Sequence, residues 1–81
     1  MACYEFVWSD AIVRHLAEHG ITQDDFEGVV CSPSSRGYSR SSGLPAAWGH
    51  TQDGRYIMAV YEELDQVTVM PVTAYEVPEP R

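Results

Sequence analysis

An Asp53-Gly54 pair between two apolar runs is the feature that most constrains the fold of this chain. The runs read AAWGHTQ and RYIMAVYE, and a DG pair between such runs predicts a β-hairpin with a two-residue type I′ turn. Pairing Gln52 with Arg55 then fixes the register, because side chains alternate between the two faces of a strand. This register places Trp48, Ile57, Ala59 and Tyr61 on one face and Thr51, Tyr56, Met58 and Val60 on the other. Since both faces carry apolar groups, we expect helices on one and a partner-binding or functional surface on the other.

Two short helices are predicted before the hairpin. Ser9 is a suitable N-cap for the first helix, and Gly20 ends it. Thr22 and Asp25 have capping-box spacing for the second, which Pro33 ends. Their apolar faces are Ile12, Val13 and Leu16 in the first and Phe26, Val29 and Val30 in the second. Because the connection between them is so short, we expect the helices to pack as a tight helical hairpin.

Strands are predicted at both ends of the chain. Tyr4–Trp8 alternates aromatic residues with others, and Val67–Tyr75 is rich in β-branched residues, with Pro71 indicating an edge or a bulge. A further short strand around Tyr38 is compatible with the pattern. The order β-α-α-β-β-β predicts one α+β domain over residues 1–81, with an antiparallel sheet of about four strands and the two-helix hairpin on one face.

Membrane and secretory classes are not predicted. No 18-residue apolar run occurs, and Met1–Trp8 lacks the basic and long apolar regions of a secretory leader. Cys3 and Cys31 have neither CxxC spacing nor the density of a disulfide scaffold. We therefore expect reduced thiols in a cytoplasmic protein, with a chance bridge as the alternative.

The stretch SPSSRGYSRSSG, residues 32–43, stands out in a chain of net charge −7. No acid occurs from Gly28 to Gln52, so this segment carries +2 from Arg36 and Arg40, and the remainder carries −9. The overall charge disfavours nucleic acid at long range. The segment itself is either a contact surface for an anion or an acidic partner, or a solvated serine-rich loop.

Several short motifs follow one another along the chain: Phe6-Val7-Trp8, His19-Gly20-Ile21, Ala47–Thr51 running into Asp53-Gly54-Arg55, Val60-Tyr61 and Val72-Thr73-Ala74. In this order they resemble the BrnT-like toxin family, small ribonucleases of bacterial type II toxin-antitoxin systems with a RelE-like fold. The resemblance implies a cytoplasmic, mRNA-cleaving toxin neutralised by an antitoxin protein encoded beside it.

The chain departs from the family pattern at the last strand. Tyr75 stands where the family has an arginine, and no C-terminal helix with arginine and glutamate follows in this sequence. These departures remove cations that would surround a phosphorane. The alternative is therefore a catalytically silent module of the same fold, which binds a protein partner or a second copy through its mixed sheet face.

Ribonuclease chemistry needs a base, an acid and cations around one phosphate. The catalytic candidates are Arg40, His50, Arg55 and Tyr75. The candidates for binding RNA or a partner are Arg36, Tyr38, Arg40 and Tyr56. Arginine suits phosphate oxygens and histidine titrates near neutrality. Two alternatives remain open: Arg55 paired with Asp53 on the hairpin shoulder, and tyrosines that only pack in strands.

His15 and His19 have the i, i+4 spacing that can hold a metal on one helix face. Two ligands do not make a site, and a histidine at a helix C-terminus is explained by the helix dipole. We therefore predict no metal and no cofactor.

Overall fold

The computed structural model describes residues 3–80. Outside the described residues lie Arg81 and the first two residues of the Met1–Trp8 segment, Met1 and Ala2. The elements, in chain order, are β1 (Glu5–Phe6), α1 (Asp10–Glu18), α2 (Gln23–Cys31), β2 (Ser35–Tyr38), β3 (Pro45–His50), β4 (Tyr56–Glu63) and β5 (Thr68–Glu76). The α+β class is thus confirmed, with two helices and a five-stranded mixed sheet.

Local capping chemistry explains where the helices begin and end. The Ser9 hydroxyl accepts from the N–H of Ile12 at 3.2 Å. Thr22 and Asp25 form a reciprocal capping box, with bonds of 3.0 and 3.1 Å. After α1, Gly20 takes a positive φ of 72°. The next N–H then bonds back to the carbonyl of Leu16 at 2.9 Å, which closes the helix end. The predicted helix limits are confirmed.

The strands lie in the order β1-β5-β4-β3-β2. The sheet has five strands, not about four, because the further strand considered around Tyr38 is present as β2. The prediction of a wholly antiparallel sheet is wrong, because β1 pairs with β5 in parallel. Strand β1 is also shorter than Tyr4–Trp8, because only Glu5 and Phe6 pair before the chain turns toward α1.

The predicted hairpin exists, but its register is shifted by one residue. Trp48 pairs with Met58, and Thr51 donates to the carbonyl of Arg55 at 2.8 Å. Gly54 has φ 89° and donates to the carbonyl of Thr51 at 3.0 Å, which is a type I turn followed by a left-handed residue in a three-residue loop. Trp48 therefore lies on the face of Met58, not on the face of Ile57 as predicted.

Pro71 marks an irregularity in β5, as predicted. The pairing of β4 with β5 shifts between Val60 and Tyr61, and Tyr61 is the residue opposite Pro71. Proline cannot donate to a strand ladder, so a register shift here accommodates it.

Both helices lie on one face of the sheet and build the main core. Its buried members are Leu16, Ile21, Phe26, Val29, Val30, Ala47, Ile57, Ala59, Tyr61, Val69 and Ala74. Helix α1 lies over β5, and α2 lies over β3 and β4. The helices thus pack chiefly on the sheet, not on each other as the expected helical hairpin would.

The opposite face, which we call the helix-free face, carries a smaller apolar cluster. Ala46, Met58 and Val60 are buried there, and Leu44, Trp48, Val72 and Val77 pack against them. No helix within residues 3–80 is long and apolar enough to cross a membrane.

Cys3 and Cys31 form a disulfide, so the expectation of reduced thiols is wrong. Their Cα atoms are 5.4 Å apart, within the range that a disulfide needs. The bond ties the segment before β1 to the last residue of α2. Sequence spacing could not reveal this, because the two residues are 28 positions apart and only the tertiary fold brings them together.

Candidate functional site

The predicted site residues divide between the two faces of the sheet. Four of them, Arg40, His50, Tyr56 and Tyr75, belong to the helix-free face. Arg36 and Arg55 contact the helices instead. Tyr38, in the outermost strand β2, is 71% exposed and borders cavities on both faces. The seven residues therefore do not form one site.

Arg40 and Tyr75 share a cavity of about 450 Å³ on the helix-free face, which we call the Arg40 cavity. Its lining consists of Tyr38, Ser39, Arg40, Ser41, Trp48, Met58 and Tyr75. The Tyr75 hydroxyl lies 3.5 Å from the Met58 sulfur. No acid is present in this lining, so the cavity combines a positive charge with an aromatic, apolar floor.

Trp48 is the largest side chain in this floor, and sequence reasoning did not name it as a site residue. A Cβ placed on Gly37 would lie 3.2 Å from the Trp48 ring, so the glycine leaves room for the indole over β2. The half-buried indole borders the Arg40 cavity and the neighbouring one described below. The predicted register hid this role, because it grouped Trp48 with Ile57 and Ala59, which the fold places in the helix-side core.

The serine-rich stretch is half strand and half ordered turn. After β2, the buried residue Ser39 donates its N–H to the carbonyl of Leu44 at 2.8 Å, and Gly43 donates to Ser39 at 2.7 Å. Gly43 has a φ of 73°, which favours glycine. The turn thus holds Arg40 at the mouth of the cavity, where the side chain is exposed and makes no ion pair with residues 3–80.

His50 lies at the other end of the helix-free face and does not border the Arg40 cavity. Its ring is 5.1 Å from that of Tyr56, and its Nε2 is 3.0 Å from Glu79. The C-terminal segment crosses here, since Val77 donates to the carbonyl of Tyr56 at 3.0 Å. A second cavity of about 310 Å³ lies between this segment and Trp48. His50 therefore contacts the C-terminal segment, whereas Arg40 borders the cavity at the other end of this face.

Arg55 forms two ion pairs, one within the hairpin and one that joins the hairpin to α2. Its Nε lies 3.0 Å from Asp53, and its terminal nitrogen lies 3.5 Å from Asp25 at the start of α2. Two hydrogen bonds lower the pKa of Asp53 below its usual range. The bond from the Thr51 hydroxyl has the larger effect, and the bond from Arg55 has the smaller one. The pairing of Arg55 with Asp53, the structural interpretation of this residue, is confirmed.

Arg36 lies on the helix side of β2, in contact with the end of α2. It donates to the carbonyl of Val30 at 2.9 Å and to the Tyr61 hydroxyl at 3.3 Å. Burial raises the pKa of Tyr61, an effect that the nearby positive charge of Arg36 opposes. A cavity of about 440 Å³ opens beside this pair.

His15 and His19 lie side by side, with ring centres 5.3 Å apart. A hydrogen bond of 2.8 Å joins the Nε2 of His15 to the Thr73 hydroxyl. In the part of the chain that the structure describes, no group of three metal-ligating side chains occurs.

Comparisons of this chain with protein-family models, curated proteins and solved structures found no match. The function must therefore be inferred from the geometry of the two faces.

Proposed function

We propose that this chain is a protein-binding domain that holds an acidic segment of a partner protein against its helix-free face. The observation that carries this proposal is the Arg40 cavity, in which one exposed guanidinium borders an apolar floor without any acid. Such a combination fits an apolar side chain flanked by carboxylates. The apolar side chain can be buried in the cavity, and the Arg40 guanidinium can donate to an oxygen of a neighbouring carboxylate.

Charge distribution supports a protein segment over RNA. Of the arginines within residues 3–80, Arg40 alone borders this cavity, and Arg55 is engaged with Asp53 and Asp25. Nucleic-acid binding draws most of its affinity from several phosphate contacts. One cation on a chain of net charge −7 suits a short acidic segment better than a polyanion.

The same charge disfavours a second copy as the occupant. Each copy carries a net charge of −7, and like charges oppose association. A homodimer is thus an outcome that the experiment below must be able to detect.

The second candidate is the BrnT-like, RelE-like ribonuclease toxin that the sequence motifs suggest, with an antitoxin partner and a cytoplasmic location. The observation that favours it is the placement of Arg40 and Tyr75 in one cavity lined by aromatic rings that could stack bases. Two observations weigh against it. His50 lies outside that cavity, and disulfides such as Cys3–Cys31 are rare in the reducing cytosol.

The experiment is a titration of the oxidised chain with each of three probes, in which NMR detects binding. The probes are a peptide with one leucine among aspartates and glutamates, the same peptide with asparagines and glutamines, and a short single-stranded RNA. We expect the acidic peptide to bind most tightly. Arg40→Ala should weaken it by roughly 1.5 to 3 kcal/mol, the range for a hydrogen bond to a charged group, whereas Arg14→Ala on exposed α1 should not.

Each other outcome has a definite meaning. RNA binding that Arg40→Ala weakens, together with RNA cleavage, would replace the proposal by the toxin. Equal binding of the acidic and amide peptides would contradict the role of charge. Concentration-dependent dimerisation that blocks peptide binding would assign the face to a second copy.

A further inference from the structure

The cavity beside Arg36 lies on the opposite side of the sheet from the Arg40 cavity and plays no part in the proposed function. It has a volume of about 440 Å³, within the usual range of small-molecule sites. Arg36, Tyr61, Tyr4, Tyr38, Pro45 and Glu63 border it. We call it the Arg36 cavity.

The guanidinium of Arg36 is fixed in place by neutral groups. Its two hydrogen bonds go to the Val30 carbonyl and to the Tyr61 hydroxyl, and no carboxylate of residues 3–80 lies within ion-pairing distance of it. A guanidinium has more N–H donors than these two bonds use. The cavity wall therefore presents a positioned cation with donors to spare.

Tyr61 adds a second group of the right chemistry. Its side chain is almost fully buried, and its oxygen accepts from Arg36, which leaves its O–H available as a donor beside the guanidinium. Two adjacent donors, one of them cationic, match the two oxygens of a carboxylate.

The rest of the lining selects the body of the ligand. Tyr4, Tyr38 and Pro45 present flat, largely apolar surfaces. Glu63 borders the same cavity and adds a negative charge. A single cation opposed by one carboxylate suits a monoanion and penalises a dianionic phosphate.

We propose that the Arg36 cavity binds a carboxylate attached to a flat apolar group, with Arg36 and the Tyr61 hydroxyl holding the carboxylate oxygens. Such a group could be a free aryl acid or the C-terminus of a peptide that ends in an aromatic residue. The two sources share the same chemistry at the cavity.

The test uses the full oxidised chain and two matched pairs of probes. One pair is 3-phenylpropionate and its amide, and the other is a tetrapeptide ending in phenylalanine with a free or an amidated C-terminus. Phenyl phosphate is a fifth probe. The readout is movement of the backbone amide signals of Arg36, Gly37 and Glu63. Binding by either acid form, but not by its amide, supports the proposal and identifies the source.

Two variants make the test specific. Arg36→Ala should weaken carboxylate binding by roughly tenfold or more, whereas Arg14→Ala should leave it unchanged. Because Arg36→Ala also removes the bond to α2, Glu63→Gln provides an independent measure, and it should tighten binding by about two- to fivefold.

The proposal is overturned if neither acid moves these signals at millimolar concentration, or if acid and amide act alike. The proposal would also be overturned if phenyl phosphate bound more tightly than the carboxylates. The same holds if Glu63→Gln bound the carboxylates more weakly than the original chain does.

Discussion

The two faces of the sheet hold their arginines in opposite ways. On the helix side, Arg36 donates to Val30 and Tyr61, and Arg55 pairs with Asp53 and Asp25. On the helix-free face, Arg40 is exposed beside an apolar floor and has no ion-pairing partner in the described part of the chain. The comparison teaches that residue type alone does not show which arginines the fold engages. Their hydrogen-bond and ion-pair partners do.

The core of the helix side should dominate stability. Phe26 is fully buried and contacts the rings of Phe6 and Trp8 edge to face. Phe26→Ala should therefore lower the free energy of unfolding by about 3 to 5 kcal/mol, measured by chemical denaturation. Trp48→Ala, on the helix-free face, is the matched control and should cost less, because its indole is only half-buried. A larger loss at Trp48 would reverse the assignment of the main core.

The disulfide should contribute nearly as much. Cys3 and Cys31 are separated by 28 positions, and closing a loop of that length lowers the entropy of the unfolded chain by an amount worth about 3 to 4 kcal/mol. Replacing both cysteines with serine should lower the unfolding free energy by that amount. A reductant should destabilise the original chain and leave the double variant unaffected. No effect of reductant on the original chain would contradict the bond.

A smaller effect separates the two kinds of arginine. Arg55→Ala should destabilise the fold by about 1 kcal/mol, because it breaks two partly exposed ion pairs, one to Asp53 within the hairpin and one to Asp25 in α2. Arg40→Ala should change stability by less than about 0.5 kcal/mol, since it removes only an exposed side chain. Thermal melts of both variants measure the difference. Equal losses would show that Arg40 is structural.

Asp53 should make the stability of the fold depend weakly on pH in the acid range. Its folded pKa is lowered by the Thr51 hydroxyl first and Arg55 second. Because the pKa is lowered on folding, the charged Asp53 carboxylate stabilises the fold at a pH above its unfolded pKa of 3.8. This stabilisation is lost as the pH falls through the folded pKa. Asp53→Asn should therefore flatten the acid limb of the stability curve below that pH. An unchanged limb would show that the Thr51 bond does not hold the carboxylate in its charged form.

Much of the helix side could be predicted because its signals are local. Ser9, Thr22 and Gly20 bound the helices through contacts within one turn, so the sequence carried the information directly. The parallel pairing of β1 with β5 could not be predicted, because it depends on chain segments about 60 positions apart. The Cys3–Cys31 bond was missed for the same reason.

The candidate site was less predictable than the fold. The acid-free segment drew attention to both Arg36 and Arg40, but nothing local showed that Arg36 would turn toward α2. Trp48 was missed because a DG pair fits both a two-residue turn and the three-residue loop found here. A change of one residue in register moves every side chain to the other face.

The chain holds two tryptophans, and each reports on one face. The Trp8 indole N–H donates to Glu27 at 2.8 Å on the helix side, whereas the Trp48 indole borders the Arg40 cavity. The most direct test follows both indole N–H signals by NMR while the acidic, leucine-containing peptide is added. We predict that the Trp48 signal moves with the binding curve and that the Trp8 signal stays in place. Movement of Trp8 with a stationary Trp48 would contradict the assignment of the helix-free face as the binding surface.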